Sequence, residues 1–370
     1  MRFGELFLAG ITLYAKVIVD IAHANVDRLF TYACPEGLNV ALGAHVLVPF
    51  GRGNSAKEGF VLEMTNDCPA GVAVKDILRV IEPYPVLLPD QIELSCWLKR
   101  SYDCLLVDAL RLMIPTTLRG GRAREKIVRT VQLPAGRDGN EMLSSLLKKD
   151  GTPRAARQYE VMELMLKTRL EMSVSDIEAY LPNSAAAISA LIKKGFLTEG
   201  GHVTFRTPMA GDARPDRSVA LTDAQKKAVA AVTDAFGRDV TFLLHGVTGS
   251  GKTEVYMHCI SKCLEEGKNA ILLVPEIALT PQAVSLFRAR FSDRIAVLHS
   301  RLSDGERFDE WRRIRLGKAN VVIGARSAVF APLENIGLIV VDEEHEPSYQ
   351  SETTPRYHAV DVARKRGALW

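Results

Sequence analysis

Residues 244–256 read LHGVTGSGKTEVY, and the fold turns on what this stretch does. Gly246, four intervening residues, then Gly251-Lys252-Thr253 make the complete P-loop spacing. Glycines there let backbone N–H groups turn inward onto phosphate oxygens, and the start of a following helix adds its dipole. The spacing therefore predicts a cradle shaped by Gly246, Gly249 and Gly251, with Lys252 on the β- and γ-phosphates of ATP and the Thr253 hydroxyl on Mg²⁺. The context agrees: the apolar run VTFLLHG (240–246) predicts a strand, and 252–266 predicts a helix.

A P-loop needs a carboxylate on the metal side. IGLIVVDEEH (336–345) supplies it, as an apolar strand delivering Asp342 and Glu343 at its C-terminal end. Asp342 is expected to hold hydrated Mg²⁺, and Glu343 to orient and deprotonate the attacking water. Between the two motifs, strands (NAILLVP, IAVLH, NVVIGA) alternate with helices (PQAVSLFRARF, GERFDEWRRIRLG). The strands are continuous apolar runs, as expected when helices cover both faces of a parallel sheet.

The 370 residues are enough for two or three domains, and 47% apolar with 25% charged residues is a globular balance. A net charge of +3 permits a nucleic-acid partner without arguing for one. The six cysteines include no C-x-x-C pair, which argues against zinc in these residues and fits a reducing compartment. No stretch approaches the ~20 apolar residues of a membrane span, so a cytoplasmic protein is expected.

Upstream of the P-loop the composition changes in blocks. Residues 1–15 are expected to be an N-terminal extension, because the family resemblance carried by the motifs that follow implies a usual start after them. Residues 16–115 hold short strands between turn residues, predicting a small β-barrel, then helical periodicity over 90–112. Residues 116–150 form a basic linker with Arg119, Arg122, Arg124, Lys126 and Arg129, open to two readings, a solvated linker or a DNA-contacting arm. In 151–207, three helical patterns, with Ser173 and Asn183 as N-caps for the second and third, and a strand, HVTFR, suggest a winged-helix domain. Lys193 and Lys194 end its third helix, which either enters a DNA groove or serves packing alone. Residues 208–370 complete a multidomain α/β plus α+β chain with a parallel α/β lobe, which the family resemblance carried by the motifs that follow implies to be an incomplete RecA-like lobe.

The DEEH form of the second motif resembles superfamily 2 helicases and translocases. GVTGSGKTEVY, VPEIALTPQ, LHSRLSDGER, IGARSAVFAP and DEEHEPSYQSETTPRYHAVDVARKR together resemble the primosomal protein N′ family, bacterial replication-restart DNA helicases. So do RLFTYACPEGL and GAHVLVPFG, which look like the family's N-terminal domain for the 3′ end of a nascent strand. The resemblance implies that Gln225 reads adenine. It places Thr280, Ser300, Arg326 and Ser327 on the DNA backbone, and Tyr349, Arg356, Tyr357 and His358 in an aromatic-rich loop that stacks on single-stranded DNA. It implies forked and single-stranded DNA, other primosome proteins and single-strand-binding protein as partners.

Two departures change what is expected. The family's end-binding pocket reads Phe-Asp-Tyr where this chain has Phe30-Thr31-Tyr32, with Lys75 matching a pocket lysine. A threonine in place of the acid weakens the expected discrimination of the 3′ end. The family also continues beyond the residue matching Trp370 with the rest of the lobe, a zinc-binding insertion and a second lobe carrying catalytic arginines. These 370 residues alone are thus expected to bind nucleotide without turnover or unwinding. Two alternatives stand beside the helicase reading, a non-catalytic fork-binding module and another superfamily 2 translocase.

Overall fold

The computed structural model describes residues 13–68, 71, 73–121, 126–168, 171–206, 220–247 and 249–370. They form two compact units, one within 1–123 and 207–370, the other within 124–206.

The first unit begins with β1 (Tyr14–Val19), β2 (Leu29–Ala33), β3 (His45–Phe50), β4 (Ser55–Thr65), β5 (Lys75–Asp76) and β6 (Arg79–Val80). They make one curled six-stranded sheet in the order β5-β2-β1-β4-β3-β6. Tyr14 and Ala15, read as part of the N-terminal extension, already belong to β1, and Ala15 is buried with Val17 and Val19. Their period of two points them into one core while Ile18 enters another. Gly59 lets β4 approach β1 closely, since a Cβ there would sit 2.7 Å from the Ile18 carbonyl oxygen.

The helical run expected over 90–112 is two helices, α1 (Pro89–Ser101) and α2 (Leu106–Arg111). Asp103, at φ 44°, turns the chain between them. The start of α2 is held from a distance. Asp27 accepts from the N–H groups of Leu106 (3.1 Å) and Val107 (3.3 Å) and from Lys99 Nζ (2.6 Å). Burial raises the Asp27 pKa, but Lys99 and these amides outweigh it and hold the carboxyl below its ordinary value.

The second unit contains β7 (Lys126–Gln132), α3 (Gly139–Ser145), α4 (Ala156–Thr168), β8 (Met172–Ser173), α5 (Val174–Tyr180), α6 (Ala185–Lys193) and β9 (Thr198–Thr204). Part of the expected basic linker is therefore ordered: β7 is the central strand of the sheet β8-β7-β9, and Arg129 pairs with Glu199 at 2.6 Å. Arg122 and Arg124 lie outside the described residues. Ser173 caps α5, accepting from the Asp176 N–H at 3.0 Å. Asn183 is not a cap: it takes a left-handed φ of 64°, and Ser184 occupies the N-cap of α6. A packed core joins Val131 of β7 to Val161, Met165, Ile177, Ile188 and Leu191.

The first unit resumes with α7 (Asp223–Thr233), α8 (Lys252–Glu265), β10 (Asn269–Leu273), α9 (Pro281–Phe291), β11 (Ile295–Leu298), α10 (Asp304–Arg315), β12 (Val321–Gly324), β13 (Ile336–Val341) and α11 (Ala359–Gly367). The four strands are parallel, in the order β11-β12-β10-β13. One expectation fails here. VTFLLHG forms no strand, and Val240, Phe242 and Leu243 are exposed. Among the described residues the sheet ends at β13, most of which is only half-buried, so this run gains neither ladder hydrogen bonds nor covered faces.

The N-terminal helices share a core with the parallel sheet's helices. Leu94, Leu98 and Leu110 pack with Trp311, Val329 and Phe330. Polar bonds tie the same surfaces: Gln91 Nε2 donates to the Phe330 carbonyl (2.8 Å) and Trp311 Nε1 to that of Met113 (3.0 Å). Arg366, fully buried on α11, donates to Asp90 (3.0 Å) on α1 and to the carbonyls of Val329 (2.7 Å) and Leu333 (3.4 Å).

Candidate nucleotide and strand-binding site

The P-loop leads into α8 through glycine conformations that only glycine takes readily. Gly249 has φ 81° and Gly251 φ 82°, and Gly251 is the N-cap of α8. A Cβ on Gly251 would also lie 2.4 Å from Gln225 Nε2. Because the cap has no side chain, the first N–H groups of α8 have no side-chain acceptor. Lys252 Nζ donates to the carbonyls of Gly246 (2.8 Å) and Val247 (3.2 Å), so a cation rests in the mouth of the loop. Helix-end N–H groups beside an ammonium form an anion cradle, and phosphate fits these residues. Thr253 is exposed one residue further on, while Thr248 lies outside the described residues.

Asp342 and Glu343 follow β13 directly, in a turn. Glu343 has φ 49°, an uncommon conformation for a side chain of this size. Backbone strain of this kind gathers at functional sites. The Asp342 carboxylate accepts from Tyr256 Oη at 3.0 Å, which brings the acidic turn against the P-loop helix. Its backbone carbonyl accepts from Tyr349 Oη at 2.7 Å. Asp342, with spare acceptor capacity, and the Thr253 hydroxyl are oxygen donors of the kind Mg²⁺ takes. Among the described residues no group of three or more His, Cys, Asp or Glu side chains is placed to hold a metal ion.

Gln225 lies against the P-loop, where its Nε2 donates to the Ser250 carbonyl (3.2 Å) and its Oε1 accepts from the Thr222 N–H (2.9 Å). Both ends of the amide are thus engaged, in a capping box at the start of α7 and on the loop.

The residues expected on DNA divide. Ser300, Arg326 and Ser327 line one groove of about 890 Å³ with Glu276, Arg307 and the 111–116 segment of the N-terminal region. Ser300 donates to Glu276, and Arg326 to the carbonyl of Gln350. Thr280 caps α9, accepting from the Ala283 N–H at 3.2 Å. The aromatic expectation needs correcting. Tyr349 is 0% and Tyr357 3% exposed, so neither ring is free to stack on a base. Tyr357 packs edge-on against Phe330 at 4.9 Å, and burial pushes its hydroxyl pKa up to about 12. His358 is the N-cap of α11, accepting from the Val360 N–H at 3.3 Å. Arg356 alone of the four is exposed.

On the N-terminal sheet, Phe30, Thr31 and Tyr32 lie along β2, and Lys75 stands opposite Tyr32 on β5. Phe30 packs edge-on against Phe50 at 5.1 Å, beneath Arg28 at 5.1 Å. Tyr32 is buried and donates to the Pro49 carbonyl at 3.2 Å. Thr31 points to the opposite face of the strand from both. Lys75 Nζ reaches the β3–β4 turn, donating to Asn54 Oδ1 at 2.6 Å.

Tyr256 was missed by the sequence reading. Its signal was the i, i+4 spacing from Lys252, which puts both on one helix face. Glu276 and Arg307 were missed because their place in the groove depends on loops distant in sequence.

Residues 16–115 match the family described as 3′DNA-binding domain (3′BD), and residues 222–362 match DEAD/DEAH box helicase. Among curated relatives, "Replication restart protein PriA" of Bacillus subtilis is 35% identical over 416 residues, covering 95% of this chain and 51% of the relative. The protein of the same name in Chlamydia pneumoniae is 34% identical over 377 residues, covering 99% and 48%. That of Haemophilus influenzae is 35% identical over 356 residues, covering 94% and 47%. The chain spans about half the length of the curated relatives it matches.

Proposed function

The chain belongs to the primosomal protein N′ (PriA) family, and from that premise we propose that it is the DNA-end-binding and nucleotide-binding half of an ATP-dependent replication-restart helicase. The observation that carries this reading is the 3.0 Å contact between Tyr256 on the P-loop helix and Asp342. It sets a phosphate cradle and a metal-side carboxylate against each other in one sheet-and-helix lobe.

In this reading Lys252 and the first amides of α8 would hold the phosphates of bound ATP. Thr253 and Asp342 would hold Mg²⁺. Glu343 orients the attacking water and takes its proton. Gln225 keeps the loop in shape and faces the base. Bound MgATP supplies the free energy of γ-phosphate transfer to water. The groove edged by Ser300, Arg326 and Ser327 receives the strand backbone, and the β2–β5 surface around Phe30, Thr31, Tyr32 and Lys75 receives a nascent 3′ end. The curled sheet is read as a small β-barrel and the 124–206 unit as a winged helix that touches duplex phosphates. Partners are then forked and single-stranded DNA, with other primosome proteins and single-strand-binding protein.

The test is binding to a fork whose nascent strand ends in a 3′-hydroxyl, compared with the same fork ending in a 3′-phosphate. Tighter binding of the hydroxyl end is expected, with a discrimination that Lys75→Ala reduces. Equal binding of the two forks contradicts the end-binding role.

A further inference from the structure

We infer that Tyr256 is a positioning residue for the Mg²⁺-side carboxylate, holding Asp342 in one orientation from within the P-loop helix. The inference rests on the reading of 246–253 and 342–343 as a MgATP site and adds to it a residue outside both of those spans. Tyr256 lies one helical turn after Lys252, so the segment that cradles phosphate also grips the acid. Among the described residues its hydroxyl is the single hydrogen-bond donor to the Asp342 side chain. A carboxylate has about four acceptor sites. One neutral donor fixes its orientation and leaves capacity for a cation, whereas a lysine or arginine partner would compete with the metal by charge. Tyr349 anchors the other end of the residue by donating to its backbone carbonyl, so Asp342 is held at both side chain and main chain. Tyr349 ends the 3-10 turn Pro347–Tyr349 that follows the acidic stretch.

The alternative is that Tyr256 only packs, since its ring lies against the core of the parallel sheet. Tyr256→Phe separates the two, because it keeps the ring and removes the hydroxyl. The experiment titrates Mg²⁺ into the 370-residue chain at a fixed concentration of a fluorescent ATP analogue. It follows nucleotide fluorescence and repeats the titration with Mn²⁺, counting free metal by electron paramagnetic resonance. Losing an outer hydrogen bond to a metal-binding side chain weakens metal affinity by about 10–100-fold. A half-saturating Mg²⁺ concentration at least about 10-fold higher is expected for Tyr256→Phe, with nucleotide affinity in EDTA and the melting temperature unchanged. Asp342→Asn is the control for the site itself. A shift in Asp342→Asn with none in Tyr256→Phe overturns the positioning role alone. No shift in either variant overturns the site reading, and the positioning role with it.

Discussion

Lys252 and Tyr357 mark the two ends of what single residues disclose. Lys252 is legible because its role follows from a local pattern: glycines before it, a helix after it and an ammonium long enough to reach back over the loop. Tyr357 was expected on DNA because the family resemblance places it in an aromatic-rich loop, but it is 3% exposed. Which way a loop residue faces depends on what packs behind it, here Phe330 from a segment 27 residues earlier. The consequence is measurable. Tyr357→Ala removes a buried aromatic ring and should cost about 3–5 kcal/mol of stability. Urea denaturation should show this loss directly. Unchanged stability combined with lost single-strand binding would restore the base-stacking role.

Elements divide along the same line. Helix α9 was expected over 281–291 and spans Pro281–Phe291, because Thr280 as N-cap and Pro281 at the first position are local signals. The cores of β10 to β13 were equally plain as apolar runs. VTFLLHG reads the same way yet forms no strand, since a strand also needs a neighbour to pair with, and pairing is settled elsewhere in the chain. The break between α1 and α2 has the same origin, for the acid that caps α2 is Asp27, 79 residues upstream of Leu106. Within the candidate site, the P-loop and the acidic turn were readable. Their contact through Tyr256 was not, because Tyr256 and Asp342 are 86 residues apart.

At the scale of the molecule, the N-terminal region and the parallel sheet are one folded body, which no motif announced. Its most demanding joint is Arg366 with Asp90, both buried, one on α11 and the other on α1. Trp370 Nε1 donates to the same Asp90 oxygen at 3.1 Å. Removing one partner of a buried pair leaves an uncompensated charge and typically costs about 3–5 kcal/mol. Asp90→Ala should therefore lower the melting temperature of the nucleotide-binding region as well as that of the sheet before α1. Calorimetry, with and without a nucleotide analogue, reads this directly. A variant whose nucleotide-stabilised transition is unmoved would mean that the two regions fold independently.

The account's central claim is that the start of α8 and the 342–343 turn make one MgATP site, and it rests most directly on Lys252. Titrating a fluorescent ATP analogue with Mg²⁺ into the wild type and Lys252→Ala tests it. A charge-assisted contact is worth about 1.5–3 kcal/mol, so the variant should bind roughly 10–100-fold more weakly while melting at the wild-type temperature. Equal affinity in the two proteins would contradict the claim, since the ammonium lying across the Gly246 and Val247 carbonyls would then have no phosphate to meet.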